Sequence, residues 1–240
     1  MEPHDGNPDR ASKVPEYELR AFGGRPMQAG EARDVARMHE ELLAHSPLVL
    51  MGPNFVEEFY YKYLPEEGLI CGAIAYVDGE AAGFIVATSH PADFMSNAVA
   101  AHRFRIAWIV FKSVLKNPSR LLAMKEAYQI QNNVQVQKYG PDMGELLSFG
   151  VRPDYRSRKF VRDSGLAVGS DLMLAALSQL ADLGVTQVRA IVDKDNLEAQ
   201  LFYRSQGWQV GLKDVKGWRV PSMEFLRSLG DSTGSSGTGE

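Results

Sequence analysis

Apolar positions along the chain switch between alternating and helical spacing, and the order of the switches outlines a fold. The stretch YELRAF, Tyr17 to Phe22, reads as a first strand. In AGEARDVARMHEELLAHS, Ala32, Val35, Ala36, Met38, Leu42 and Leu43 recur at helical spacing and predict an amphipathic helix. A second helix is expected after Pro53 in NFVEEFYYKYL, with Asn54 near its cap. The runs ICGAIAYV and EAAGFIVATS flank Asp78-Gly79, and Asp-Gly between β-rich runs predicts a hairpin. Residues 91–130 are mostly helical in pattern, broken at Asn117-Pro118, where proline ends one helix and can start the next. GELLSFGV, Gly144 to Val151, is a short apolar strand. LMLAALSQLADLG is a helix stopped at Gly184. VTQVRAIVD is a buried strand, NLEAQLFYRSQGW a helix from Asn196 to Gly207, and WQVGLKDV and GWRVPSMEFL two closing strands. The expected order is βααββ, a helical insert, then βαβαββ. Residues 1–15 and 229–240 are poor in apolar side chains and rich in Gly, Ser, Pro and Asp, and read as disordered tails. One domain, 16–228, remains, carrying the helical insert at 91–131.

Composition narrows the classes. The chain has 240 residues, 45% of them hydrophobic, enough for one sizeable core. Its 26 basic and 30 acidic residues give a net charge of -4, which argues against a general nucleic-acid binder. The single cysteine, Cys71, excludes an internal disulfide and a cysteine zinc cluster, and fits a reducing, cytoplasmic compartment. It lies in an expected strand and reads as a buried structural thiol. The N-terminus lacks the apolar core of a signal peptide. No window of about twenty apolar residues reads as a membrane span. The nearest, AAHRFRIAWIVFKSVL, carries His102, Arg103, Arg105 and Lys112. The histidines, His4, His39, His45, His90 and His102, show no metal-site spacing, so no metal is expected. His39 and His45 sit on a charged helix and read as solvated. His90 follows an expected strand. A nucleotide-hydrolysing Gly-x-x-x-x-Gly-Lys-Ser/Thr loop is missing.

Two stretches carry candidate chemistry. DYRSRKFVRDSGLAVGSDLM, Asp154 to Met173, puts fixed positive charge, glycines and a helix start in sequence. Free amides at a helix N-terminus bind phosphate, and glycine lets a ligand approach the backbone. Within it, Arg162, Gly165 and Ala167 have the spacing Arg-x-x-Gly-x-Ala, and Gly169 follows. The same stretch also reads as a basic surface loop capped at Asp163 or Ser164. The second stretch, NLEAQLFYRSQGW, places Asn196 and Tyr203 seven residues apart, close to two turns, on one helix face. A phenol there can donate a proton to a leaving thiolate, or can be a half-buried packing residue with a wet hydroxyl.

Strand GELLSFGV, then VRPDYR, the Arg-x-x-Gly-x-Ala turn and its helix, a strand ending VDKDN, and N-x-x-A-x-x-F-Y-x-x-x-G-W together resemble the GCN5-related N-acetyltransferase (GNAT) superfamily. The specific motifs span Glu145 to Val210, and element order extends the resemblance over Tyr17 to Leu226. One departure stands out. About eight extra residues, Lys159 to Leu166, separate Arg158 from the segment AVGSDL. Two registers therefore compete for the pyrophosphate turn: Arg162, Gly165 and Ala167, or Ala167 and Gly169 with Leu172 as apolar anchor.

The resemblance implies an α/β fold with a central mixed, mostly antiparallel sheet and helices on both faces. It implies acetyl-CoA wedged between the strand ending Gly150-Val151 and the strand Val188–Val192. Backbone groups of Phe149 and Val151 would pair with the pantetheine arm, and amides between Arg162 and Gly169 would take the pyrophosphate. Arg158, Lys159 and Arg162 would supply positive charge, and Asn196 would bond the pantetheine or nearby backbone. An amine acceptor, small molecule or protein, would attack the thioester directly, with Tyr203 protonating the departing sulfur. Glu145 is the leading candidate for the base, with Asp193 and Asp195 as alternatives. Asp193 can equally cap the following helix. The apolar surplus of the insert, including Phe104, Trp108, Phe111, Leu115, Leu121 and Met124, reads as two packed helices, or as an acceptor lid or homodimer surface. A non-catalytic acyl-CoA-binding module is the alternative to an enzyme.

Overall fold

The computed structural model describes residues 14–44, 46–116, 140, 142–216, 218 and 220–230. The strands are β1 (Tyr17–Phe22), β2 (Cys71–Val77), β3 (Glu80–Thr88), β4 (Met143–Val151), β5 (Gln187–Asp193), β6 (Gln209–Val210) and β7 (Ser222–Ser228). They form one 7-stranded sheet in the order β1-β2-β3-β4-β5-β7-β6. Only β4–β5 is parallel; every other pair is antiparallel. At the β2–β3 hairpin, Asp78 (φ 50) and Gly79 (φ 79) both take the positive φ of a type I′ turn.

Alternation along the central strands divides the interior in two. Phe84 and Val86 of β3 face one layer, whereas Ile85 and Ala87 face the other. The first layer holds α1 (Ala29–Leu42), α2 (Pro47–Leu50), a bent helix over residues 53–66 and α5 (Phe94–Lys116). The second holds α8 (Val168–Asp182) and α9 (Leu197–Ser205). Helices thus cover both faces, as expected.

The bent helix runs as α3 (Pro53–Phe55), a π turn (Val56–Tyr60) and α4 (Tyr61–Glu66). Sequence puts Asn54 near its cap. The structure puts Gly52 (φ 91) at the cap, because that backbone conformation favours glycine, and Pro53 at the first helical position. The π turn leaves both Tyr60 and Tyr61 fully buried, their rings edge to face at 5.1 Å.

Two other expectations change. The stretch read as a basic surface loop after β4 contains α6 (Pro153–Arg156) and α7 (Arg158–Ser164). The Ser157 hydroxyl caps α7 by accepting from Phe160 N–H at 3.1 Å, and Gly165 (φ 74) closes it. The strand expected over WQVGLKDV shrinks to β6. Beyond it the chain is drawn to β7 by Glu224, whose Oε2 accepts the Leu212 N–H at 3.1 Å. α5 is kinked at His102 and exposes Phe104, Trp108, Phe111 and Leu115. The expected break at Asn117-Pro118, with Leu121 and Met124, lies outside the described residues, as do His4 and His45. Among the described residues, no single helix is long and apolar enough to cross a membrane.

Candidate active site

The sheet opens at β4–β5, the only parallel pair among the described residues. β4 and β5 pair from Met143↔Gln187 to Leu146↔Ala190 and then separate, although β4 runs on to Val151 and β5 to Asp193. On their outer edges both strands stay paired, β4 to β3 through Val151 and β5 to β7 through Asp193. Residues 147–151 of β4 therefore turn one unpaired backbone edge toward the opening. A register shift between Val86 and Ala87 leaves Leu147 as the extra residue of a bulge at the throat.

An ion-pair network pins the strands just before they part. Arg189 of β5 donates to Glu145 of β4 at 3.0 Å and lies 3.6 Å from Glu224 of β7. Arg189 is 2% exposed and Glu145 6%. Glu145 is thus not a solvated carboxylate at the start of a strand. Its carboxylate is held against a buried guanidinium.

The start of α8 faces the same opening. Ala167 is its N-cap, and the carbonyl of Ala167 accepts from Ser170 and Asp171 N–H at 2.8 and 3.0 Å. The amides of Ala167, Val168 and Gly169 make no hydrogen bond among the described residues. Gly165 differs, because its N–H is already donated to Val161 O at 2.9 Å. Arg162 lies in the last turn of α7, paired with Asp163 at 3.0 Å and mostly exposed. Arg158 and Lys159 begin α7 as exposed cations. Of the two registers, the helix start itself coincides with the second.

Gly169 meets β4 and α9 here. A methyl group at Gly169 would lie 3.4 Å from the Phe202 ring and 3.6 Å from the Phe149 ring, ordinary contacts. Phe149 and Phe202 stack at 5.3 Å. Tyr203, next on α9, is buried among Phe202, Trp208 and Phe225 at 6.1, 5.1 and 5.4 Å. Burial raises its pKa, so the phenol keeps its proton at neutral pH. Its hydroxyl makes no hydrogen bond among the described residues. Asn196 caps α9 by accepting the Ala199 N–H at 3.0 Å, so its side-chain oxygen already has a partner. Asp193 Oδ1 accepts from Asp195 N–H at 2.9 Å and shapes the turn before α9. Cys71 is buried, and burial lifts its thiol to about 11, so it stays protonated.

Sequence reasoning missed a buried polar cluster in the first layer. His39, expected to be solvated, is 0% exposed. Its ring lies 5.7 Å from Phe84, Nδ1 is 2.6 Å from the Tyr61 hydroxyl, and Nε2 is 2.9 Å from Ser46 Oγ. The signal was present, since His39 continues the Ala32, Val35, Ala36 face of α1 by one more turn. Burial lowers the His39 pKa from 6.5 to about 4. Below the unfolded pKa the unfolded chain takes up a proton that the folded chain refuses. This contribution to stability is present above pH 6.5 and falls away as pH drops toward about 4, by about 3 kcal/mol in all. Urea titrations across that range should show the slope in the wild type and its loss in His39→Gln. Equal slopes would refute the assignment.

A sheet split along its parallel pair, with a helix start aimed at the gap, defines the class as a mixed α/β protein with a cleft through its sheet. The model of the Acetyltransferase (GNAT) family matches residues 36–208, and the chain belongs to that family. It is 35% identical over 82 residues to the mycothiol acetyltransferase of Thermobifida fusca. That match covers 34% of this chain and 23% of the relative, so the chain spans about a quarter of that protein's length. Among solved structures, an aminoglycoside acetyltransferase, AAC(6')-Ib, in complex with coenzyme A is similar with TM-score 0.53 and 13% identity, over 89% of this chain and 95% of that one. The yncA protein of Salmonella typhimurium with its cofactor acetyl-CoA gives TM-score 0.50 and 10% identity, over 91% and 96%. At these identities the likeness is one of fold.

Proposed function

We propose that the protein is an N-acetyltransferase that moves an acetyl group from acetyl-CoA to a primary amine by direct attack. The observation that carries this reading is the parting of β4 from β5 after Leu146↔Ala190 beside the start of α8. The residues present fit such a ligand. The free edge of β4 at Phe149 and Val151 offers backbone groups to the amides of a pantetheine arm. The amides of Ala167, Val168 and Gly169, at the positive end of a 15-residue helix, suit a diphosphate. Arg158, Lys159 and Arg162 add positive charge nearby, and Asn196 helps through the turn that it caps.

When bound, acetyl-CoA supplies an activated thioester. Tyr203 holds the proton that the departing sulfur needs, and its burial keeps that proton in place until then. The bulge at Leu147 presents backbone at the throat, where a developing oxyanion needs a donor. Glu145, tied to Arg189, fixes the apex of the split instead of serving as a free base. The family membership and the partial likeness to mycothiol acetyltransferase support acetyl transfer and leave the amine open.

Binding of acetyl-CoA at a hundred to a thousand times its dissociation constant should stabilise the folded protein by about 2–4 kcal/mol, read as a rise in unfolding temperature. CoA release should then depend on added amine. An unshifted unfolding curve rejects this reading, and a shift without thioester loss across a broad amine panel leaves a binding module.

A further inference from the structure

We infer that α5 is a docking surface for an anionic lipid surface, lying along it with Phe104, Trp108, Phe111 and Leu115 seated among the headgroups. The inference stands apart from the acetyltransferase reading. The four residues follow one another at i, i+4, i+7 and i+11, which brings them onto one line of the helix. They are 79%, 57%, 52% and 68% exposed. Trp108 stacks on Phe111 at 5.8 Å, so the line forms a crest of rings. The body is held by the opposite side of the helix. There Ile109 is buried, Ile106 packs against the first layer, and His102 bonds Glu67. Packing within the chain thus uses one apolar side of α5, and the crest is a second.

Charge selects the partner. Between Asp93 and Glu126 the sequence holds no acidic residue and six basic ones, Arg103, Arg105, Lys112, Lys116, Arg120 and Lys125. The whole chain carries -4, so these six leave ten net negative charges on the rest. Helical spacing puts the positions of Arg105, Lys112 and Lys116 along one flank of the crest and that of Arg103 along the other. Arg103 and Arg105 are exposed, with guanidinium groups 4.9 Å over the Phe104 ring and 4.3 Å over the Tyr63 ring.

A second copy meeting this face about a two-fold axis would set cations against cations. A nucleic acid would match the charge and not the crest. An anionic bilayer surface matches both, because the acyl boundary takes Phe, Trp and Leu while the headgroups meet Arg and Lys. Beyond the kink at His102, residues 103–116 run for about 21 Å. Among the described residues no single helix is long and apolar enough to cross a membrane, so α5 would lie in the plane of the surface.

The full chain should co-sediment with vesicles of equal parts phosphatidylglycerol and phosphatidylcholine and stay in solution with phosphatidylcholine alone. Phe104→Ser combined with Phe111→Ser should weaken that binding about a hundredfold. Arg103→Glu combined with Arg105→Glu should weaken it at least about tenfold. All four side chains are exposed, so unfolding temperatures should stay near that of the wild type. Trp108 is the most exposed of the three tryptophans, and the mixed vesicles should move its emission to shorter wavelength. Trp108→Phe should still bind and should lose that shift. Equal binding to both vesicle types, binding to neither, or a shift that survives Trp108→Phe overturns the inference. So does a dimer, formed without lipid, that the Phe104 and Phe111 changes dissociate, since a second copy then covers the crest. Release from the vesicles by double-stranded DNA would reassign the surface to nucleic acid.

Discussion

Tyr203→Phe is expected to lower kcat for acetyl transfer by about 10²–10⁴-fold, the range typical of a lost general acid. Acetyl-CoA affinity and unfolding stability should hardly change. The ring is held by Phe202, Trp208 and Phe225, and phenylalanine keeps those contacts. The hydroxyl it removes has no hydrogen-bond partner among the described residues, so no buried group is orphaned. The loss should shrink for thioesters whose thiols are more acidic, because these depart without help. Stopped-flow detection of free thiol with two such donors checks both points. A rate within severalfold of the wild type would take Tyr203 out of the acid role.

Arg189→Met should be the most damaging of the changes in stability, at about 3–5 kcal/mol by urea unfolding. Arg189 sits between Glu145 and Glu224, 3.0 and 3.6 Å from their oxygens, and is 2% exposed. Without the guanidinium, two buried carboxylates face each other across β5. The same change removes the pin at the apex of the split, so the surviving folded protein should bind acetyl-CoA more weakly. Adding Glu145→Gln to Arg189→Met should recover part of the stability, since one of the stranded charges is gone. Additive losses in the double variant would show that the network carries no coupling.

The fold was legible where sequence patterns are local. The Asp78-Gly79 turn, the α1 stripe and the helix stopped at Gly184 all depend on neighbours within a few residues. The cap at Gly52 was misread because Asn54 is the better cap by side chain, whereas the backbone there needs positive φ, which glycine supplies. The helix α7 was hidden because its residues are mostly exposed and carry no apolar stripe, so only the Ser157 cap and the Gly165 stop marked it. At the candidate site, Gly169 and Tyr203 could be named from motifs that resemble the GNAT superfamily, and Phe149 from what that resemblance implies. The buried Tyr61–His39 pair could not, because its members come from α4 and α1, and sequence carries no sign of how two helices meet. The network around Arg189 is an intermediate case. Glu145 and Arg189 stand out as charges in apolar strands, but only the parallel register makes them partners.

The central claim is that the gap between β4 and β5 holds coenzyme A with its diphosphate on the first amides of α8. A crystal structure with CoA bound tests this directly. The account predicts phosphate oxygens within hydrogen-bond reach of the Ala167, Val168 and Gly169 amides, pantetheine along Phe149 and Val151, and the thiol beside the Tyr203 hydroxyl. Phosphates bound elsewhere, or a gap closed by Phe149 and Phe202 with the ligand lying outside the sheet, would contradict it.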